Sequence, residues 1–161
     1  MKAAPNERRS ARGLRIAIVR ALFNPKATDG LLQGAREELA VLGADARRVH
    51  VFDVPGAFEL PLAAQAAARS RRFDAIVALG AVIQGETDHY QHIARETAAG
   101  LAAVARETGV PVGFGVLTVR RAAHALARSG RSGDNKGREA ARAAVFTVHT
   151  LRALRPRGRR S

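Results

Sequence analysis

The sequence contains no cysteine and no tryptophan, and its longest uninterrupted apolar run is the nine residues 75–83. The missing cysteine excludes disulfide bonds, thiolate metal ligands and cysteine nucleophiles. An apolar run of that length is far below the roughly 20 residues needed to cross a bilayer. The first residues, MKAAPNERRSARG, include no apolar segment of the kind found in secretory signals. We therefore expect a cytoplasmic protein with no membrane partner.

Positive charge dominates the composition, with 27 Lys and Arg residues against 14 Asp and Glu and a net charge of +13. Much of the excess lies at the ends: residues 1–13 hold four basic residues and one acid, and residues 152–161 hold five arginines and no acid. Stacking on nucleic-acid bases needs aromatic residues among basic ones, and the single Tyr and six Phe show no such interleaving. We expect no nucleic-acid partner, while a basic protein that binds nucleic acid through its tails stays an alternative.

Short β-type runs alternate with helical stretches along the chain. Strands are predicted at 14–20, 46–54, 74–83 and 111–119, and helices at 27–43, 58–70, 88–107, 120–130 and 135–154. This alternation predicts parallel strands joined by right-handed crossovers, hence a three-layer α/β/α sandwich with helices on both faces of a four-stranded sheet. We predict one domain, 14–154, between a basic and flexible N-terminal segment, 1–13, and a basic tail, 155–161.

Ligands of such folds bind beyond the carboxyl ends of the strands, so the segments after the strands hold the candidate site residues. Phe23 follows the first strand, where it could stack on a planar heterocycle or cover the sheet end as a core residue. After the second strand, VPGAFEL brings Gly56, Phe58 and Glu59 to a helix start. Glu59 could accept hydrogen bonds from hydroxyls, or it could only complement the helix dipole.

The segment GETDHYQHI (85–93) follows the third strand and offers the widest range of chemistry. Thr87 and Asp88 are good cap residues, and a helix N-terminus with Gly and Thr nearby favours a phosphate. His89 in the first turn could serve as a general acid–base, or it could cap or pack. A catalytic zinc would need a third ligand besides His89 and His92, and the HExxH spacing is absent. We expect no metal, and we interpret His92 as a structural or packing residue at a helix face.

The segment SGDNKG (132–137), between the last two predicted helices, mixes glycine with one lysine. It could be an anion-binding loop or a simple turn, since it lacks the GxxxxGK[ST] pattern and no strand directly precedes it. The dinucleotide motif GxGxxG and the hydrolase motif GxSxG are absent from the chain.

Six segments occur in the order and with the gaps that the lumazine synthase family has: LFN (22–24), LLQGAREEL (31–39), VPGAFELPLAA (54–64), DAIVALGAVIQGETDHYQHI (74–93), VPVGFGVLT (110–118) and GDNKG (133–137). The sequence resembles that family over about residues 14–151. The resemblance implies a flavodoxin-like fold. It also implies a transferase of riboflavin biosynthesis, which condenses 5-amino-6-(D-ribitylamino)uracil with 3,4-dihydroxy-2-butanone 4-phosphate to 6,7-dimethyl-8-ribityllumazine, phosphate and water, without cofactor.

The family's site residues can be carried onto matching positions of this sequence. The resemblance implies that Phe23 stacks on the pyrimidine, that Ala57, Phe58 and Glu59 hold the ribityl chain, and that backbone groups of Ala81, Val82 and Ile83 read the uracil edge. It also implies that Glu86, Thr87 and Arg128 bind the substrate phosphate, that His89 transfers protons, and that Phe114 and Arg128 come from the neighbouring subunit.

Assembly is a further implication of the resemblance. Members of the family form homo-oligomers built from pentamers, some of which pair as decamers or close into shells of sixty subunits, and a riboflavin synthase partner is implied as well. The chain departs from the family at Leu22 and Gln84, where Arg is frequent, and at Ala127, where a charged residue is common. A non-catalytic relative that binds flavin or lumazine is the alternative function.

Overall fold

The computed structural model describes residues 7–156, and residues 1–6 and 157–161 lie outside the described part of the chain. Within that part, the elements are β1 (Ile16–Ala21), α1 (Pro25–Val41), β2 (Val49–Val54), α2 (Leu60–Arg69), β3 (Ala75–Ile83), α3 (His89–Thr108), β4 (Val112–Val119), α4 (Ala122–Ala127) and α5 (Lys136–Leu154). The four strands form one parallel sheet in the order β2-β1-β3-β4. The predicted three-layer sandwich is confirmed.

The core is divided in two because successive side chains of a strand point to opposite faces of the sheet. On β1, Ile16 and Ile18 pack with residues of α1, α4 and α5, whereas Ala17 and Val19 pack with residues of α2 and α3. We call these the α1/α5 face and the α2/α3 face. The central strand β3 is buried along nearly its whole length, which explains its continuous apolar sequence.

The strand β2 begins three residues later than the sequence predicted, so the predicted start at residue 46 is wrong. Residues Ala46–Arg48 form a turn of 3₁₀ helix instead. The carboxylate of Asp45 accepts from the backbone N–H of Arg47 at 3.0 Å and also binds its guanidinium at 2.8 Å. The bonds from Arg47 lower the pKa of Asp45 to about 2. A side chain that caps a single turn competes locally with strand formation, and periodicity does not register it.

The part of the N-terminal segment that the structure describes, residues 7–13, contacts α1 and α5. The backbone N–H of Ala11 donates to the carbonyl of Leu42 at 2.8 Å, and Ala11 is fully buried. His149 Nε2 donates to the carbonyl of Ser10 at 2.7 Å. The predicted domain boundaries stay a prediction. Residues 1–6 of the predicted flexible segment and 157–161 of the predicted tail lie outside the described residues.

A buried carboxylate joins α1 to α5 on the α1/α5 face. Glu38 is 0% exposed, and its Oε1 atom accepts from Arg142 Nε at 2.8 Å and from Arg8 Nε at 3.4 Å. A guanidinium nitrogen of Arg138 lies 3.9 Å from the other carboxylate oxygen. A buried charge of this kind is tolerated only with such partners, so Glu38 specifies how α1 and α5 meet.

Two features are absent from residues 7–156. No helix there combines the length and the apolar composition that crossing a membrane requires. The same residues hold no group of three or more His, Asp or Glu side chains placed to bind a metal ion.

Candidate active site

The candidate site begins where β1 and β3 part. The last residue of β1 paired with β3 is Arg20, opposite Leu79, while β3 continues beside β4 as far as Ile83. The chain after β1 leans toward β2 instead: Leu22 N–H donates to the Val54 carbonyl at 2.8 Å, and the next residue donates to the carbonyl that follows at 3.0 Å. A gap therefore opens between β1 and β3, where ligands of doubly wound sheets bind.

An ion pair fixes the edge of this gap. The Arg20 guanidinium binds Asp53 of β2 through Nε and Nη2 at 2.8 and 2.9 Å, and its Nη1 binds Asp29 of α1 at 2.7 Å. Hydrogen bonding to Asp53 raises the pKa of Arg20, against the opposing effect of its burial. The end of β1 is thus held to β2 and α1 just before the chain reaches Phe23.

The exposed edge of β3 supplies backbone hydrogen-bonding groups. Gln84 N–H donates to Val119 of β4, and alternation along a strand therefore turns the backbone of Val82 toward β4 as well. The N–H and C=O groups of Ala81 and Ile83 face the gap. One of them is used already, since Asn24 Nδ2 donates to the Ala81 carbonyl at 2.8 Å.

A cavity of about 460 Å³ fills the gap and extends to the start of α3. Its walls include eight of the twelve site residues implied by the family resemblance: Phe23, Ala57, Phe58, Glu59, Ala81, Val82, Ile83 and His89. These come from four separate segments of the chain, and the sheet brings them together. Volumes of a few hundred Å³ suit a small organic ligand.

Two exposed aromatic rings stand at this cavity. Phe23 is 72% exposed and Phe58 is 57% exposed. A ring that covered the end of the sheet as part of the core would be buried, so the core alternative for Phe23 is wrong. Two phenyl rings with accessible surfaces can stack on a planar heterocycle or pack against an aliphatic chain.

Glu59 closes a short 3₁₀ helix, Ala57–Glu59, that enters α2. Its Oε2 atom accepts from the backbone N–H of Gly56 at 3.0 Å, so the carboxylate does cap the helix start. The side chain also lines the cavity, and a carboxylate has two oxygens with several acceptor sites. Thr97 of α3 holds this segment in place by donating to the Ala57 carbonyl at 3.1 Å. Glu59 can therefore cap and still accept from a ligand.

The start of α3 lies open at the other end of the cavity. Asp88 is the N-cap residue but makes no side-chain cap bond, and Thr87 Oγ1 is a long 3.5 Å from the backbone nitrogen of His89. The first backbone N–H groups of α3 are therefore available to an anion. His89 is exposed and lines the cavity. His92, one turn further, is exposed and does not line it.

Four of the implied site residues lie outside the cavity of their own chain. Glu86 and Thr87 are exposed in the loop between β3 and α3. Phe114 lies on β4 and is half-exposed, and Arg128 follows α4, where its Nη1 donates to the carbonyl of His124 at 3.1 Å. The described chain alone does not bring Phe114 and Arg128 to the cavity.

Four cavity residues are not among the twelve that the resemblance implies: Asn24, Gly56, Tyr90 and Ile93. Asn24 has left-handed backbone angles, φ 59° and ψ 59°, which Asn tolerates better than most residues. Its place between Phe23 and a proline that starts a helix could have identified it. Ile93 could have been found too, because it stands four residues after His89 on the same helix face.

A four-stranded parallel sheet between two helical layers, with a cavity at the strand switch point, defines a class, the flavodoxin-like α/β/α sandwiches. Within this class, the chain matches the family described as 6,7-dimethyl-8-ribityllumazine synthase over residues 13–152, and it belongs to that family. It is 50% identical over 141 residues to 6,7-dimethyl-8-ribityllumazine synthase 1 of Caulobacter vibrioides, an alignment that covers 88% of this chain and 92% of the relative. The resemblance seen in the sequence is confirmed.

Proposed function

We propose that the chain condenses 5-amino-6-(D-ribitylamino)uracil with 3,4-dihydroxy-2-butanone 4-phosphate to give 6,7-dimethyl-8-ribityllumazine, the penultimate step of riboflavin biosynthesis. Family membership over residues 13–152 supports this activity. The observation that carries it in the structure is that one cavity holds an aromatic ring, a carboxylate, backbone hydrogen-bonding groups and an imidazole. These are the groups that a ribityl-substituted pyrimidine and a proton-transfer reaction require.

The reaction forms two carbon–nitrogen bonds in sequence. The 5-amino group of the pyrimidine attacks the ketone, and loss of water gives an imine. Elimination of inorganic phosphate from the imine then leaves an enol, and tautomerisation of this enol gives a new carbonyl beside a methyl group. Attack of the ribityl-bearing nitrogen on this new carbonyl closes the ring with loss of a second water. Each step moves protons but needs no redox partner, so positioning of two reactants supplies much of the acceleration.

The pyrimidine half of the site follows the geometry of the gap. Phe23 stacks on the ring, and the backbone groups of Ala81 and Ile83 read its edge. Val82 contributes its side chain to the wall, since its backbone faces β4. Glu59, with Ala57 and Phe58, accepts hydrogen bonds from the ribityl hydroxyls. The exposure of Phe23 and its place on the cavity wall support this arrangement.

The phosphate half lies at the start of α3. Glu86 and Thr87 surround the phosphate with the first N–H groups of that helix, and Arg128 completes the anion site. His89, in the first turn, carries protons to and from the reacting nitrogen and oxygen atoms. The absence of a side-chain cap on Asp88 supports this proposal, because it leaves helix N–H groups to a ligand.

The site is completed by a neighbouring subunit in a homo-oligomer built from pentamers. Phe114 and Arg128 are exposed and lie away from the cavity of their own chain. This supports the proposal that they contribute to the cavity of a neighbouring subunit. A cytoplasmic location and association with a riboflavin synthase belong to the same proposal. Fractionation of the full-length chain with membranes, or separate elution of the two enzymes at micromolar concentration, would contradict these last two points.

A turnover assay with both substrates tests the activity. Product formation followed by lumazine absorbance, with either substrate omitted as the control, should show steady conversion. The alternative is a relative that binds flavin or lumazine without catalysis. Tight product binding with no product formation would favour that alternative and reject the proposed activity.

Sharing of the site is tested by mixing two kinds of impaired subunit. His89→Ala and Arg128→Ala chains, co-expressed in equal amounts, would regain about a quarter of the wild-type sites if the two residues come from different subunits. Mass photometry of the same sample should show pentamers or their multiples. A mixture no more active than the better parent would place both residues in one subunit.

A further inference from the structure

Asn135, the residue before α5, is 1% exposed, and its side-chain amide contacts three parts of the molecule. The Nδ2 group lies 2.9–3.0 Å from three backbone oxygens, those of Gly30 in α1 and of Ser129 and Gly130 after α4. The Oδ1 atom accepts from the backbone N–H groups of Gly137 and Arg138 at 2.9 and 3.1 Å. The oxygen therefore caps α5, and the nitrogen ties α1 to the end of α4. We call this set of contacts the Asn135 clamp.

The clamp fixes the backbone on both sides of Arg128. Lys136, next to Asn135, donates its N–H to the Arg128 carbonyl at 2.8 Å. Ser129 is 4% exposed, and its carbonyl is one of the acceptors of Asn135. The residue that carries the guanidinium is thus held between two bonds from the start of α5.

The Arg128 side chain itself is weakly restrained. It is exposed, and its Nη1 donates only to a carbonyl of its own helix, that of His124, at 3.1 Å. Across residues 7–156, no acidic side chain pairs with it. The point from which the guanidinium reaches out is therefore set by the backbone at Arg128.

Two glycines of α1 make room for the clamp. A Cβ atom on Gly34 would overlap the Asn135 amide, and a Cβ atom on Gly30 would overlap the Ser129 carbonyl. Neither glycine has the positive φ for which glycine is otherwise needed. Their requirement is space, so a substitution at Gly34 displaces Asn135 without changing any residue of the loop.

We propose that Asn135 is a positioning residue for phosphate recognition: its Nδ2 bonds hold the end of α4 so that Arg128 reaches the phosphate of the butanone substrate. This inference rests on the proposed role of Arg128. Small displacements of a binding group weaken binding strongly, because a guanidinium recognises an oxyanion through directed hydrogen bonds. An alternative role is purely structural, in which Asn135 stabilises the fold and leaves substrate affinity unchanged.

Asn135→Asp separates the two roles. Aspartate keeps the oxygen that caps α5 but replaces the donor by a second acceptor, so only the bonds to Gly30, Ser129 and Gly130 are lost. We expect the KM for the butanone phosphate, and the inhibition constant of inorganic phosphate, to rise about tenfold, a loss of roughly 1.4 kcal/mol. The KM for the pyrimidine should stay within about twofold of wild type, since its proposed contacts lie elsewhere.

Two further variants keep the test valid if Asn135→Asp folds poorly. Gly34→Ala should produce the same selective rise by pushing the amide aside. Val148→Ala, buried in α5 on the same face, is the control that lowers stability without touching the loop. The melting temperature is measured for all three.

The outcomes distinguish this inference from the proposed function. A selective phosphate effect in Asn135→Asp or Gly34→Ala, absent in Val148→Ala and not added to that of Arg128→Ala in the double variant, supports it. If Arg128→Ala weakens phosphate use while Asn135→Asp and Gly34→Ala change only the melting temperature, the positioning role is overturned and the proposed function stands. If Arg128→Ala leaves phosphate use unchanged, both the role of Arg128 and the positioning role fail.

Discussion

The two faces of the sheet treat polar side chains in opposite ways. On the α1/α5 face, Glu38 and Asn135 are almost fully buried, and each binds several groups of the protein. At the end of the α2/α3 face, the imidazole of His89 is exposed beside the cavity with the rings of Phe23 and Phe58, and no side-chain hydrogen bond within residues 7–156 involves that imidazole. The same short chain builds both faces.

The difference follows from the cost of burying polar groups. A buried carboxylate or amide has to find partners inside the protein, so each one fixes the geometry of several elements. An exposed imidazole or phenyl ring needs no partner within the protein, so it can interact with a ligand. The α1/α5 face therefore supplies rigidity, and the open end of the α2/α3 face supplies chemistry.

His89→Ala is the largest change expected on the open side. Loss of a general acid–base lowers kcat by about 10²- to 10⁴-fold, while stacking and positioning of both substrates persist. The melting temperature should not change because His89 is exposed. His92→Ala, outside the cavity, is the control and should match wild type. Equal kcat in His89→Ala and wild type would remove His89 from the mechanism.

Glu38→Gln is the matching change on the buried side. Removing one member of a buried ion pair destabilises the fold by about 3 kcal/mol, because Arg142 keeps its charge after losing the Glu38 carboxylate. Substrate KM values should stay the same. Urea unfolding at pH 7 measures the loss, and Glu107→Gln, at an exposed position, serves as the control. A change in substrate KM without a change in stability would contradict the structural role of Glu38 on the α1/α5 face.

The same variant has a pH signature. Burial raises the pKa of Glu38, but hydrogen bonds and charge from Arg142 and Arg8 outweigh it and lower the pKa below its ordinary value. The stability that this carboxylate contributes is present above the ordinary pKa of glutamate and is lost as pH falls through the lowered folded value. Unfolding free energy should therefore fall less steeply with acid in Glu38→Gln. If the unfolding free energies of wild type and Glu38→Gln fall equally steeply as the pH is lowered, the lowered pKa of Glu38 is contradicted.

Phe23→Ala should have a smaller effect, confined to the pyrimidine. Stacking of a base on an aromatic side chain contributes about 1–3 kcal/mol, which predicts roughly a 5- to 150-fold weaker binding of the pyrimidine substrate. Phe52→Ala on the edge strand β2 removes a partly exposed ring outside the cavity and is the control. Titration with the pyrimidine alone measures both. If the two variants bind it equally well, Phe23 does not stack on the ring.

Glu59→Gln is expected to have the smallest effect. The amide oxygen can still accept from Gly56, so the helix start persists, but hydrogen bonds from ligand hydroxyls to a charged acceptor become neutral ones. This costs about 1 kcal/mol, or roughly fivefold in affinity. A pyrimidine that lacks the ribityl chain should bind wild type and variant alike. A loss of affinity for that shortened ligand would show that Glu59 contacts the ring instead.

Much of this architecture could be predicted from sequence because it depends on local pattern. The run from Ala75 to Ile83 identifies a buried central strand, and parallel strands bring the segments that follow them to one edge. His89 and Glu59 were therefore predictable as cavity residues. The turn at Ala46–Arg48 was missed because one capping side chain decides it. The Asn135 clamp was out of reach, since its bond to Gly30 joins residues 105 positions apart.

The unequal lengths of β1 and β3 have a consequence for how this site can change through evolution. Ala81 and Ile83 offer main-chain groups because the neighbouring strand stops short, and no replacement of their side chains other than by proline removes those groups. Recognition of the ring edge is thereby insulated from most point mutations. An insertion that let β1 run on beside β3 would consume the same donors and acceptors in the sheet. Strand length, more than residue identity, is the variable that keeps this edge open to a ligand.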